Sequence, residues 1–494
     1  MEVEEYLVFF FIRMTKEEIM DKLNSKLFLK IKIIEILSNE ATYLSTQQLT
    51  ERLGNISVNT VRLTCLELQQ DFEKLYTEEE AKLIISTRHG IQLLRKDINI
   101  QLLVEDFFMN DLSYKIYQAL LLHKEVSTLD FCEQHFISKS TLARYLKRLN
   151  RILAKRQLRI SLSDKMILLG PISKIRSNYQ YYFFMVHRRL DRLTWFPNTD
   201  KYLKKTKKIL AHLNIEVSQN KLQTLGLMTL IFEQTAKHYG SVSLEEPSMQ
   251  YHSFYQFTKK PTFLTDWSEE DWQFFTLSLY SLNIGAPNSF IEKKETRIFK
   301  KDIDIWLTTF EKYLRPLTSQ EKTLLATNLD QQIQFHSMFI LNSLLLSILG
   351  LQNFGSFNDD FPMYHQQFEL FWEKLTKKAT RFKNSDYHKL TSFLSCTAII
   401  DPTMFNPTVK LFIHSESFSL HKTFMEKRIN YFLSQYNVLF VSDYQDAQLI
   451  ISTTTVFEVV TNTPIMYVYP SLTNVDLQNI ETCVNHLFPS KNPT

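Results

Sequence analysis

Four leucines set the strongest constraint on how this chain folds. Leu142, Leu146, Leu149 and Leu153 recur at intervals of four, three and four residues, the spacing that gathers side chains on one face of an α-helix. Arg144, Arg148, Arg151 and Lys155 repeat those intervals two residues later. Two residues are about 200° around a helix, so cations line the face opposite the leucines. Ser138 precedes the run and can cap a helix reaching about Arg156 by accepting from its first free backbone amides. Ser127 can cap a shorter helix to about Gln134, leaving His135, Phe136 and Ile137 as the turn. Short helix, tight turn and longer cationic helix make a helix-turn-helix. Its leucines hold the second helix on a scaffold, and its arginines meet phosphates and base edges in the major groove.

The following residues read as a wing: a strand over 158–162, a turn at Ser163-Asp164-Lys165, and a strand over 166–169. Arg159 and Lys165 are expected beside the adjacent nucleic-acid backbone. From Ser138 to Arg189 the chain has thirteen Lys or Arg and one acid, Asp164, against 57 and 53 overall. A basic stripe alone would be a solvated helix face; the cap, leading helix and trailing hairpin shift the reading to DNA contact. The predicted contact residues are Lys139, Ser140, Thr141, Arg144, Lys147, Arg148, Arg151, Lys155 and Arg159.

Residues 15–96 show the same order with weaker charge. A helix is expected over 26–37. Ser45 caps a second over 46–53, Gly54-Asn55-Ile56 turns the chain, and Ser57 caps a third whose core stripe is Val61, Cys65, Leu68 and Phe72. A wing follows over 81–94, turning at Arg88-His89-Gly90. Asn59, Thr60 and Arg62 are the outward residues at the start of the third helix, with Glu67 and Asp71 behind them. Two readings stay open: contact with DNA, or a purely structural winged helix.

A chain of 494 residues is too long for one core, so several domains are expected. Eight glycines, none after Gly355, leave no G-x-G-x-x-G, P-loop or G-x-S-x-G sequence, and no His-Glu-x-x-His occurs. The usual enzyme signatures are therefore missing, and no catalytic residue, metal or cofactor is assigned. Cys65, Cys132, Cys396 and Cys483 are widely separated, which fits buried reduced thiols in a cytoplasmic protein. The apolar stretch at 6–12 is too short for a membrane span and lacks the basic start of a signal peptide; either Met1 or Met14 can be the start. The uncharged stretch from Gln331 to Asn358 reads as a buried bundle helix, and no membrane contact is expected.

From about 178 to 395 the pattern is helical almost throughout. After the turn-rich residues 401–407 short apolar strands alternate with helices: strands over 409–414, 438–442, 447–452 and 465–468, helices over 420–435 and 476–487. That alternation predicts an α/β domain with mostly parallel pairing. The expected fold is thus multidomain and mainly α, with two N-terminal winged helix-turn-helix domains (15–96 and 97–177), two central helical domains (178–285 and 286–395) and an α/β domain (396–494).

The stretch Ile137-Ser138-Lys139-Ser140-Thr141-Leu142, then Leu168-Leu169-Gly170 followed by Ile175-Arg176, resembles the Mga-like family of Gram-positive virulence regulators, which includes the anthrax toxin activator. The order of domains resembles it over nearly the whole chain. The resemblance implies that the two central bundles are PRD-like, that is, phosphotransferase-system regulation domains phosphorylated on histidine. Candidate acceptors are His212, His238 and His336, with His187, His252, His365 and His388 as further options; the alternative is that most are surface or packing histidines. It also implies a C-terminal domain like the phosphotransferase IIB component. There the phosphate sits on a cysteine after the first strand, whereas this loop reads His414-Ser415-Glu416-Ser417-Phe418-Ser419. Phosphotransfer by this domain is therefore not expected, and dimerisation is.

The expected function is a non-enzymatic, DNA-binding transcriptional regulator. Its expected partners are double-stranded DNA, a second copy of itself and the phosphotransferase-system phosphocarrier protein. The alternatives are a phosphotransferase component, opposed by the missing cysteine, and an RNA-binding antiterminator, opposed by the helical N-terminal repeats.

Overall fold

The computed structural model describes residues 25–54, 56–284, 290–293, 299–339, 346, 355–415, 419–454 and 461–488. Met14 and the apolar stretch at 6–12 lie outside them. The chain is mainly helical, with one small parallel sheet.

It opens with α1 (Ser25–Ser38), α2 (Thr46–Leu53) and α3 (Val58–Leu75), then the antiparallel hairpin β1 (Ala81–Ser86) and β2 (Gly90–Arg95). Ser45 makes a reciprocal capping box with Gln48, and Ser57 accepts from the Thr60 amide, so both helices start where a hydroxyl satisfies an unpaired donor. Val61, Cys65, Leu68 and Phe72 form the buried row of α3. Leu44, just before the Ser45 cap, exchanges backbone hydrogen bonds of 2.9 and 2.7 Å with Ile91. This approach requires glycine at position 90: φ is 105°, and a Cβ there would lie 2.3 Å from the Leu44 carbonyl oxygen.

After α4 (Gln101–Met109) the plan repeats: α5 (Leu112–His123), β3 (Glu125–Ser127), α6 (Thr128–Gln134), α7 (Lys139–Ala154), β4 (Arg159–Leu162) and β5 (Lys165–Leu169). β5 is central, with β3 and β4 antiparallel on its two sides. β3 is absent from the sequence reading because three residues are too few to show a period.

The helix α8 (Ile172–His187) leaves the wing and enters the helical middle. It runs unbroken through positions 177 and 178, where the sequence reading places a domain border. One continuous apolar cluster joins both N-terminal units to α8. The first free amides of α8, at Ile172 and Ser173, donate to the Glu246 carboxylate at 3.2 and 2.7 Å. Farther along, the fully buried Arg176 makes a 2.6 Å ion pair with Asp271.

The middle contains α9 (Thr199–His212), α10 (Gln219–Tyr239), β6 (Tyr255–Phe257), α11 (Glu269–Ser281) and β7 (Ile291–Lys293) around one core. Around another lie α12 (Lys300–Tyr313), α13 (Ser319–Met338), α14 (Gly355–Asp360), α15 (Pro362–Lys378) and α16 (Asp386–Thr397). The antiparallel β6–β7 pair is a further three-residue element that the sequence reading lacks. Of the uncharged stretch 331–358, the start belongs to α13 and the end to α14, while 340–345 and 347–354 lie outside the described residues.

The C-terminal region runs β8 (Thr408–His414), α17 (Ser419–Phe432), β9 (Asn437–Phe440), β10 (Leu449–Ser452), β11 (Ile465–Tyr467) and α18 (Asn474–Leu487). The strand order is β11-β10-β8-β9, all parallel, and α17 makes the crossover from β8 to β9. Val409, Leu411 and Ile413 pack against Met425, Ile429, Ile480 and Val484. No described helix is long and apolar enough to cross a membrane.

Candidate nucleic-acid interface

The helix α7 begins where the Ser138 hydroxyl accepts from the Thr141 amide at 3.1 Å. The Ser140 and Thr141 hydroxyls lie 2.9 Å from the same oxygen, so both are engaged at the helix start. Leu142, Leu146, Leu149 and Leu153 are all buried, together with Tyr145 one turn away. The Tyr145 hydroxyl donates to Asp111 at 2.6 Å and accepts from the Ser113 amide at 3.1 Å; burial pushes its own ionisation well up, helped by the Asp111 charge. Asn150 is bonded both ways to Ile160 on the wing, at 2.7 and 2.8 Å. The inner face of α7 is thereby fixed to α5 on one side and to β4 on the other.

The outer face carries Lys139, Ser140, Arg144, Lys147, Arg148, Arg151 and Lys155, all exposed, with Thr141 half-buried. Lys139, Arg144, Lys147 and Arg148 have no acidic partner among the described residues. Arg148 sits over the Tyr145 ring, 5.6 Å from its centroid. Arg159 is exposed at the start of β4. Lys165 instead reaches back to Glu125 at 3.0 Å, so this wing lysine is partly neutralised within the fold. The wing turn is tied to α6: the Thr128 amide donates to the Asp164 carbonyl and the Thr128 hydroxyl to the Ser163 carbonyl, both at 2.8 Å.

The basic excess read over Ser138–Arg189 divides in the structure. Arg156 points inward, donating to Asn178 at 2.8 Å and lying over Tyr181; burial lowers its pKa. Lys174 and Arg176 are buried on α8, and burial is the first cause of the lowered pKa of both. The exposed cations of this stretch are therefore concentrated on α7 and the start of β4.

In the first unit Asn59, Thr60 and Arg62 are exposed at the start of α3. Glu67 and Asp71 turn toward α1, where Lys26 and Lys30 pair with them at 2.6 Å each. The positions matching Arg144 and Lys147, counted from the two serine caps, are Leu63 and Leu66, both exposed. Sequence reasoning placed no leucine on that outer face, because leucine normally signals core. The two units share a plan, and they differ in the chemistry they offer to solvent.

The candidate histidines are scattered. His212 is exposed, its Nε2 2.8 Å from the Lys259 carbonyl. His238 is half-buried; burial lowers its pKa, with Lys237, Lys124 and His123 adding to the effect. Burial brings His336 down to about 4, helped by Lys174 and Arg381, and brings His388 down to about 3. Their rings lie 4.6 Å apart. His187 is buried between Glu105 and the Tyr114 hydroxyl at 2.6 and 2.7 Å, and His252 bonds the Met249 carbonyl at 2.7 Å. His365 is half-buried near the start of α15.

Cys65, Cys132 and Cys396 are buried thiols, whereas Cys483 is half-buried. The loop after β8 keeps only Ser415 among the described residues, since 416–418 lie outside them. On α17, Leu420, Phe424 and Tyr431 are exposed, Leu420 and Tyr431 to more than 80%.

Two winged helix-turn-helix units are present, one with a cationic helix held on a leucine seam. Residues 96–183 match the family model for the Mga helix-turn-helix domain; the match covers α4 to most of α8 and is consistent with a Mga-like regulator. It suggests a DNA-binding transcription regulator, a generally non-enzymatic class. No curated protein matches the chain.

Proposed function

We propose that this chain regulates transcription by binding duplex DNA through the outer face of α7, as a dimer whose activity responds to phosphotransferase-system sugar status. The observation that supports DNA binding most is the set Lys139, Arg144, Lys147 and Arg148: exposed cations, without acidic partners among the described residues, opposite a buried leucine row. Ser140, Thr141, Arg151, Lys155 and Arg159 extend that surface. Phosphate contacts supply affinity and register, and base-edge contacts supply sequence preference. Asn59, Thr60 and Arg62 add a second, weakly charged footprint from the first unit.

The regulatory part of the proposal rests on the family resemblance and on His212. Its Nε2–H donates to the Lys259 carbonyl oxygen, so Nδ1 is the ring nitrogen left for a phosphoryl group. His238 and His336 are less accessible acceptors. A phosphate there adds about two negative charges, enough to alter packing between the bundles and α8. Self-association is assigned to the C-terminal domain, where Leu420, Phe424 and Tyr431 give α17 an uncovered apolar stripe.

Gel shifts with duplex DNA and with RNA hairpins at matched salt test the first claim: the duplex shifts and the hairpins do not. Incubation with phosphorylated carrier protein tests the second, with label expected on His212 and lost in His212→Ala. Absence of label on all three histidines would remove it.

A further inference from the structure

The outer face of α3 departs from that of α7 in a consistent way. Counted from the caps Ser57 and Ser138, Val58 stands where α7 has Lys139, Leu63 where it has Arg144, Leu66 where it has Lys147 and Glu67 where it has Arg148. Three exposed cations of the second unit are thus aliphatic in the first, with Val58 50%, Leu63 52% and Leu66 39% exposed. The fourth position is an acid that Lys26 already holds at 2.6 Å. Exposed polar residues flank the aliphatic row: Asn59 and Arg62 on the same helix, and Arg88 at the tip of the wing. Neither arginine has an acidic partner among the described residues.

The chemistry of the face decides what it can meet. A phosphate offers nothing to a leucine, so the row is unsuited to the DNA backbone. The major groove does expose an apolar group, the C5 methyl of thymine, and the paired adenine presents the N6 and N7 edge that an asparagine side chain matches. Val58 and Leu66 lie eight residues apart, about 12 Å along the helix, which is the length of roughly three to four base-pair steps at about 3.4 Å each. Arg62 and Arg88 beside the row suit the phosphates that border the groove. A protein partner fits less well, because three aliphatic side chains set among cations and an amide fall far short of the apolar centre of a stable interface, about 800 Å² on each side.

Resting on the reading of the chain as a duplex-binding regulator, we propose that Val58, Leu63 and Leu66 read thymine methyl groups in the major groove, with Asn59 on adenine edges, so that the first unit sets a preference for A·T steps. The second unit supplies most of the attraction to phosphates. The two helices divide the work: α7 holds the duplex, and α3 selects the sequence beneath it.

The test uses the full chain and a duplex selected by its binding, in which blocks of thymine are replaced by deoxyuridine. The replacement removes methyl groups and keeps every charge and every Watson–Crick hydrogen bond. Leu63→Ala combined with Leu66→Ala is compared with the wild type; both positions are exposed and alanine suits a helix, so the melting temperature is kept. In the wild type, one block is expected to weaken binding about fourfold for each contacted methyl lost, with an unchanged salt slope. The leucine variant is expected to bind the thymine duplex more weakly than the wild type does, and to lose the distinction between thymine and deoxyuridine in that block. An equal thymine preference in the two proteins would assign the effect to duplex shape and overturn the proposal. A variant that binds both duplexes as the wild type does, while losing self-association, would assign the row to a second copy and overturn it as well. A wild type that shifts thymine and deoxyuridine duplexes equally in every block overturns the proposal alone, whereas a wild type that shifts no duplex removes it together with the reading beneath it.

Discussion

Tyr145, on the inner face of α7, donates a 2.6 Å hydrogen bond to Asp111, the residue that caps α5. The cationic helix is therefore fixed to its scaffold by a buried polar bond as well as by leucines. Tyr145→Phe removes the hydroxyl that serves Asp111 and the Ser113 amide. It is expected to cost about 1–2 kcal/mol in chemical denaturation, with a smaller loss of DNA affinity than any substitution of an outer-face arginine. A variant as stable as the wild type would show that the bond contributes nothing.

The pair His336 and His388 predicts how stability varies with acidity. Both folded-state pKa values are depressed, His336 to about 4 and His388 to about 3, with burial as the first cause. The unfolded chain binds protons near the ordinary value of 6.5, where the folded chain keeps both rings neutral. Stability is therefore complete above about pH 6.5 and falls as the pH drops toward 4, by about 3 kcal/mol for His336. Denaturation across that range should show the decline, and His336→Gln should flatten it. An equal decline in the variant would place its origin elsewhere.

Arg176 and Asp271 connect the helix leaving the second wing to the first helical core. Both side chains are almost wholly buried, and Asp271 also accepts from the Val242 amide at 3.0 Å. Asp271→Asn leaves the guanidinium buried without its counter-charge, which costs about 3–5 kcal/mol. A loss below about 1 kcal/mol would show that water or another group replaces the carboxylate.

Dimerisation through the C-terminal domain predicts a change of size. A chain ending near residue 400 should sediment as a monomer where the full chain is a dimer, and Leu420→Glu with Tyr431→Glu should reproduce that result at full length. A truncated chain that remains dimeric would refute the assignment.

Much of the second winged unit is legible in the sequence, because its determinants are local. Ser127 and Ser138 mark two helix starts, and four leucines mark the buried face between them and the wing. What escaped has physical reasons. α8 is buried on most of its circumference, from Ser173 to His187, so it shows no amphipathic period to carry the helix across the expected border at 177–178. Lys174, Arg176 and Arg156 added to a count of positive charge although the fold turns them inward; composition records charge and not direction. Leu63 and Leu66 are core residues by type and stand in solvent, which only tertiary packing reveals. β3 and β6 acquire strand structure from their partners across the ladder.

The most direct measurement of the central claim is the salt dependence of duplex binding by the wild type and by Arg144→Ala, Lys147→Ala, Arg148→Ala combined. Each lost phosphate contact should flatten the slope of log affinity against log salt by about 0.9, so the triple variant should lose close to three such increments and bind all duplexes more weakly. Equal affinity and equal slope in the two proteins would contradict the assignment of α7 as the DNA-binding face.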